Sequence, residues 1–204
     1  MELTILSTIF GQKIQDFRGG PPSSKITAPT LIQGYVASFR ARGPKMLLFV
    51  TPDRTWLWNG VSSDELTNRL QFAGDLFVFD VQRSAGSIIY VTDVLVYAGR
   101  SIVTCDFRER LETVRKLFST HPETRAGQPL REQEDPECPT TCPSAHADCH
   151  LMISDEISIG IKQIYPSVYV DLLWTQLPKW ADGITLDKLL AVYSPFVCPP
   201  VMRS

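Results

Sequence analysis

The sequence predicts an α+β domain, and three stretches carry that prediction. Residues 35–50, YVASFRARGPKMLLFV, read as a strand, a tight turn at Gly43-Pro44 and a second strand. Residues 71–102 repeat the pattern: LFVFDVQ, a turn over Arg83-Ser84-Ala85-Gly86, then SIIYVTDVLVY and a turn at Ala98-Gly99. Both are rich in the β-branched and aromatic residues that suit a pleated, half-buried surface. The third stretch, from Asp106 to Phe118, is helical. Asp106 is a good N-cap, and Phe107, Leu111, Val114 and Phe118 recur on one face.

Taken in order, residues 1–16 place Leu3, Ile5, Leu6, Ile9, Phe10 and Ile14 at helical spacing, which predicts an amphipathic N-terminal helix. FRGGPPSSK, residues 17–25, is loop because Gly and Pro dominate it. Thr51-Pro52-Asp53-Arg54 is a turn by composition and leads into TWLWNG, so residues 44–58 form a hairpin. Alternation puts Trp56 and Trp58 on one face and Leu57 on the other. The tryptophans read either as sheet-face core residues or as a platform on which a base stacks. Residues 62–70, SSDELTNRL, open with a Ser N-cap and acids in the first turn and predict a short helix. In the helix from Asp106, Glu112 and Lys116 form an i,i+4 pair and Arg110 is expected on the solvated face, with a reach into the cleft as the alternative.

Residues 119–150 change character. Prolines, charges and small polar residues replace apolar periodicity, which predicts a long loop or insertion within one domain spanning residues 1–204. Order returns with an apolar strand from Ile157 to Ile164. A helix over SVYVDLLWTQLPKW follows, with Val168, Leu172, Leu173 and Leu177 on a stripe.

Composition bounds the function. At 204 residues, 44% hydrophobic and 21% charged, the chain is an ordinary globular domain with room for a sizeable core. A net charge of −2 gives no global basic field, so any nucleic-acid or nucleotide contact must come from a local patch. The apolar runs are too short to span a bilayer, and the N-terminus lacks the basic region and cleavage site of a signal peptide. With five cysteines and no export signal, the expectation is a reduced intracellular compartment, nucleus or cytoplasm, and neither secretion nor membrane insertion.

Cys138, Cys142, His146, Cys149 and His150 crowd together as C-x3-C-x3-H-x2-C-H. Thiolates and imidazoles suit a tetrahedral Zn²⁺. Cys138, Cys142, His146 and Cys149 are therefore candidate ligands of a structural zinc. Free thiols and a local disulfide are the alternatives.

Six segments in order then resemble the mRNA guanylyltransferases (capping enzymes) and, more widely, the covalent nucleotidyltransferases. Phe17, Gly19, Pro22 and Ser23 stand where that family has a Phe-Pro-Gly loop. Arg40-Ala41-Arg42-Gly43-Pro44-Lys45 occupies the frame of Lys-x-Asp-Gly-x-Arg. Ala73-Gly74-Asp75 stands for Asp-Gly-Glu, and Tyr90-Val91-Thr92-Asp93 for Tyr-Leu-x-x-Asp. Cys105-Asp106-Phe107-Arg108-Glu109-Arg110-Leu111 matches Asp-Phe-x-x-Arg-Leu, while Lys162-Gln163-Ile164-Tyr165, a helix and Asp182-Gly183 repeat a further series. Tyr193-Ser194-Pro195 follows Asp182-Gly183 as it does in the snurportin cap-binding domain, which has this fold without the covalent lysine.

The resemblance implies a nucleotidyltransferase domain with antiparallel sheets around a cleft, here without the OB-fold. It implies a nucleotide-binding set of Arg40, Arg42, Lys45, Asp75, Tyr90, Lys162 and Asp182, with Tyr90 the candidate for stacking on a base. The chemistry departs from the family. Its nucleophile is a lysine whose free amine attacks the α-phosphate of GTP, whereas arginine stays protonated and is a poor nucleophile. Arg40 at that position, Arg42 in place of an acid and the thinned-out acids that would hold Mg²⁺ argue against covalent guanylyl transfer. Three functions follow. The leading one is a catalytically degenerate domain that binds a nucleotide, an mRNA cap or an RNA 5′ end without a covalent GMP adduct. The second is a structural or protein-interaction subunit of a larger complex that keeps only the fold. The third is an active guanylyltransferase in which Lys45 is a displaced nucleophile and Mg²⁺ is needed.

Overall fold

A computed structural model describes residues 4, 5, 7, 34–67, 70–84, 88–120, 124–126, 149–152, 157–177, 181–188 and 201–203. The predicted N-terminal helix falls largely outside them, and Thr4, Ile5 and Ser7 are helical. The Phe17–Ser23 loop, most of the 119–150 insertion and Tyr193-Ser194-Pro195 also lie outside the described residues.

The strands run β1 (Tyr35–Ala41), β2 (Lys45–Val50), β3 (Thr55–Trp58), β4 (Ser63–Glu65), β5 (Phe77–Arg83), β6 (Ile88–Tyr97) and β7 (Arg100–Ser101). Helix α1 (Phe107–Ser119) follows, then β8 (Thr124–Ala126), β9 (Cys149–Met152), β10 (Ser158–Ile161) and β11 (Tyr165–Pro166). A 3₁₀ turn (Ser167–Tyr169) leads into α2 (Val170–Thr175), and β12 (Ala181–Lys188) and β13 (Val201–Arg203) close the order. Mixed α+β architecture with mostly sheet is thus as expected.

Two sheets form. The larger has the order β4-β3-β2-β5-β6-β10-β9-β8, with β7 paired to β6, and the smaller is β11-β1-β12-β13. Every pairing is antiparallel except β6 with β10, which is parallel. The chain leaves the small sheet at Ala41 and enters the large one at Lys45, so the 42–44 turn bridges the two.

Alternation along the strands divides the large sheet into two apolar faces. Leu48, Leu57, Phe79, Val81, Ile89 and Val91 pack under Val114, Leu117 and Phe118 of α1. Leu47, Phe49, Trp56, Trp58, Val78 and Leu95 form the opposite face, against which Ile5 packs. Trp56 and Trp58 are 2% and 4% exposed, with Trp56 stacked on Phe49, so they are core residues and offer no platform to a base. In the small sheet Ala37, Phe39, Ile184 and Leu186 meet Val170 and Leu173 of α2.

Three local expectations give way to tertiary context. Ser63–Glu65, expected to open a helix, is instead the edge strand beside β3, and the Leu66 amide donates to the Thr55 carbonyl. A short segment with a weak propensity yields to an available strand edge. In the 119–150 stretch, Thr124–Ala126 and Cys149–Met152 pair as an antiparallel ladder, so the ends of the expected loop are strand. In the second helix the buried positions are Val170 and Leu173, while Val168 and Leu172, placed on the predicted stripe, are exposed. The helix starts with a 3₁₀ turn, and the different angular step there rotates the stripe.

The Asp106 cap is as predicted: its carboxylate accepts from the Glu109 amide, and Phe107, Leu111, Val114 and Phe118 are buried. Arg110 is not on the solvated face. It is 2% exposed and bound to Asp93.

Candidate functional site

The site lies where the two sheets meet. In β1 the side chains that alternate away from α2 include Ser38 and Arg40, which pair across the ladder with Thr185 and Gly183 of β12. The ladder shifts register between Arg40 and Ala41. Arg40 Nε lies 3.5 Å from Asp182 Oδ1, so the Arg40 and Asp182-Gly183 segments, far apart in sequence, come together. Arg42 Nε donates to the Ala181 carbonyl oxygen at 3.1 Å, tying the exposed turn to the start of β12.

The turn itself is clamped from β5. Gln82 Nε2 donates to the Ala41 carbonyl at 2.7 Å, and the Arg83 amide donates to the Pro44 carbonyl at 3.1 Å. A Cβ on Gly43 would run into the Arg83 carbonyl oxygen, so the turn lies directly on the end of β5. Ala41, Ile88 and Tyr90 form a small buried cluster beneath it.

From the large sheet, Lys45 projects from the start of β2 and its Nζ sits 2.7 Å from Asp80 Oδ2 on β5. Lys162 follows β10 directly, its amide donating to the Val91 carbonyl. Its buried amine feels Asp187 of β12, Arg40, Lys45 and Asp80. Burial lowers its pKa to about 8; the neighbouring cations push the same way and the carboxylates of Asp187 and Asp80 push back. Burial raises the Asp187 carboxyl, against the pull of Lys162 and Lys45. Behind Asp80, its cross-strand partner Asp93 is held by Arg110 of α1 and is raised to about 6, chiefly by burial.

Of the residues singled out from sequence, the structure brings together Arg40, Lys45, Lys162 and Asp182, with Arg42 at the rim. Tyr90 is close by but 4% exposed, buried beneath the turn rather than walling an open cleft. Asp75 is exposed and precedes β5, while Asp80 lies within that strand; its neighbour Gly74 packs against Ala98, away from the basic group. Of the candidate zinc ligands, Cys138, Cys142 and His146 lie outside the described residues, and Cys149 opens β9. Among the described residues no three His, Cys, Asp or Glu side chains converge on one metal position. No described helix is long and apolar enough to cross a membrane.

Sequence reasoning missed Asp80, Asp187 and Ser38, and it placed Arg110 outside the core. A signal for Asp80 was present: one acid inside the otherwise apolar LFVFDVQ is costly to bury without a cation. Asp187 and Ser38 carried no such mark.

The arrangement has one evident chemical capacity. Its guanidinium and ammonium groups, aimed between two sheets, can hold phosphate oxygens. Two buried polar groups on the same face, Ser38 Oγ and Arg40 Nη1, have no hydrogen-bond partner among the described residues. No protein-family model matches the chain, and no curated protein matches it in sequence.

Proposed function

We propose that this chain is a degenerate nucleotidyltransferase-like domain of the nucleus or cytoplasm. In this reading it binds the phosphates of a nucleotide, an mRNA cap or an RNA 5′ end between its two sheets and forms no covalent adduct. The single observation that carries this reading is the gathering of Arg40, Lys45 and Lys162 where the two sheets meet. Arg40 and Asp182-Gly183, two of the segments that carry the resemblance, lie side by side on neighbouring strands of the small sheet. Lys45 is engaged by Asp80 rather than presented as a free amine, which favours a binding role over a nucleophilic one.

The test combines thermal unfolding with GTP, a methylated cap analogue or triphosphate RNA, and incubation with α-labelled GTP and Mg²⁺. A ligand that binds only the folded state raises the midpoint. The expected result is a shift without a denaturation-resistant label, abolished in Arg40→Ala. A covalent label removed by Lys45→Ala establishes the active-enzyme alternative instead.

A second reading has its own observation. Val168 is 80% exposed, and Tyr169 and Leu172 are also exposed large hydrophobics on the same short helical segment. A cluster of this kind suits a protein-interaction module. If no nucleotide, cap or RNA end shifts the midpoint, that reading replaces the first. The zinc proposed for Cys138, Cys142, His146 and Cys149 is tested separately by metal analysis of the purified chain.

A further inference from the structure

The loop that joins β3 to β4 contains the dipeptide Asn59-Gly60, and its chemistry is independent of the cleft. Asn59 is the hub of that loop. Its Oδ1 accepts from the Val61 amide at 2.9 Å and from the Ser62 amide at 2.8 Å. Its Nδ2 donates to Ser62 Oγ at 3.0 Å, and its backbone N–H donates to the Ser62 carbonyl at 3.2 Å. Gly60 has a φ of 96°, a conformation that residues with a side chain rarely take. Its own amide donates to no acceptor among the described residues.

An asparagine followed by glycine can react with its own backbone. The glycine nitrogen, once deprotonated by solvent base, attacks Cγ. The N–Cγ bond forms, the Cγ–Nδ2 bond breaks and ammonia leaves, giving a five-membered succinimide. Water then opens the ring at one of its two carbonyls. Cleavage on the Cγ side gives aspartate, and cleavage on the backbone side gives isoaspartate, in which the chain runs through Cγ. One water is consumed, one ammonia is released and nothing is oxidised or reduced. The loop supplies what this reaction uses. Gly60 has no Cβ to obstruct ring closure. Two N–H donors on Asn59 Oδ1 stabilise the charge that develops there during attack. The Ser62 hydroxyl lies beside the leaving nitrogen, where it can hand over a proton. Asn59 and Ser62 are exposed, so base and water reach them without unfolding. Asn68, the other asparagine of the chain, precedes an arginine, whose side chain hinders ring closure.

We propose that Asn59 is a site of spontaneous deamidation in the folded protein, and that its conversion detaches β4 from β3. The detachment follows from the loop. Isoaspartate lengthens the backbone by a methylene carbon, so the chain no longer meets the register that pairs Trp58 with Ser63. The new negative charge also joins Asp64 and Glu65 of β4. That strand is exposed at every residue and is held to β3 by a ladder of three residue pairs, whereas β3 is buried throughout. Loss of β4 bares the β3 edge, and an apolar strand edge is a template for pairing with a second chain. The loop is thus a clock that limits how long the large sheet keeps its protected edge.

The test incubates the full chain, folded and in urea, in the same mildly alkaline buffer. Peptide mapping by mass spectrometry reads the amide-to-acid conversion at Asn59 and at Asn68. Isoaspartate is counted by methyl transfer from labelled S-adenosylmethionine with an isoaspartate methyltransferase. A reaction that required global unfolding would be slowed by the unfolding constant, on the order of 10³ or more. The expected result is conversion of Asn59 in the folded chain at a rate within about tenfold of that in urea, because the loop reacts without global opening. Asn68 should stay unchanged over the same interval. A folded rate depressed by more than about tenfold overturns the proposal. Equal conversion of the two asparagines overturns it as well. The second readout is amide exchange at Leu66, whose N–H donates to the Thr55 carbonyl just beyond β4. It should be faster in the converted chain than in the unconverted one, and equal exchange in the two overturns the detachment of β4.

Discussion

Asp93 and Arg110 meet through two parallel hydrogen bonds, Nε to Oδ1 and Nη2 to Oδ2, each 2.9 Å long, in the core between β6 and α1. A third guanidinium nitrogen, Nη1, donates to the Cys105 carbonyl. Two planar groups matched in this way fix the rotation of α1 against the sheet as well as its distance.

Breaking that fork should be expensive. Arg110→Met leaves a buried carboxylate with the Val94 amide as its remaining donor among the described residues, and removal of one partner of a buried pair costs roughly 3–5 kcal/mol. The sign with pH follows from Asp93, whose folded pKa of about 6 lies above its ordinary 3.8. A raised carboxyl contributes stability that is present below the unfolded value and is lost as pH rises through the folded one. The deficit of Arg110→Met, read by urea unfolding, should therefore shrink in acid and be largest near neutrality. A deficit that does not change with pH would show that Asp93 is not the group left exposed.

Lys162 gives the opposite window. Its folded pKa of about 8 lies below its ordinary 10.5, so the unfolded chain binds the extra proton between those values. Stability should rise with pH across that interval, by up to about 3 kcal/mol from this group, and Lys162→Met should remove the rise. Thermal midpoints of the two proteins measured from neutral to alkaline pH decide this. Ligand affinity should also decline above about pH 8 as the ammonium is lost.

Gly43→Ala should destabilise the fold and loosen the cleft at once. The new methyl meets a backbone carbonyl, which cannot swing aside as a flexible side chain would. A cost of roughly 1–3 kcal/mol is expected from overpacking. The Gln82–Ala41 hydrogen bond should be disturbed, visible as faster amide exchange at Arg83, whose N–H donates to Pro44.

Phe118→Ala tests the other side of the large sheet. Phe118 is fully buried and packs edge-on or tilted against Phe72 and Phe79, with centroids 5.5 and 5.9 Å away. Loss of the ring should cost roughly 3–5 kcal/mol in denaturant unfolding and leave the cleft residues in place. An unchanged midpoint would mean that α1 does not seat on the sheet through this residue.

Much of the fold could be read from residue pattern, and the reasons are local. The β5–β6 pair is written in alternating β-branched and aromatic residues, and α1 in an Asp cap followed by four apolar positions. Ser63–Glu65 was illegible because its hydrogen bonds depend on a strand edge that the segment itself does not encode. The site was half legible. Arg40, Lys45, Lys162 and Asp182 were found because their segments resemble one family, but their partners Asp80 and Asp187 lie outside the segments compared. The burial of Arg110 is a matter of which turn of the helix meets Asp93, and nothing in a helix that carries Arg108, Arg110 and Arg115 marks which of the three is buried.

The pairing of Tyr35 with Lys188, and of Arg40 with Gly183, has a consequence for how the protein is made. The hairpins β2–β3 and β5–β6 join neighbours in the chain and can form as soon as they leave the ribosome. The small sheet cannot. The β1 edge that takes β12 must wait until residues 181–188 have been synthesised, so the site at the sheet junction closes after the hairpins of the large sheet. During that interval β1 offers a bare strand edge to any chaperone or neighbouring nascent chain. A truncation within β12 should leave the large sheet able to assemble but trap the protein as an aggregation-prone half-product.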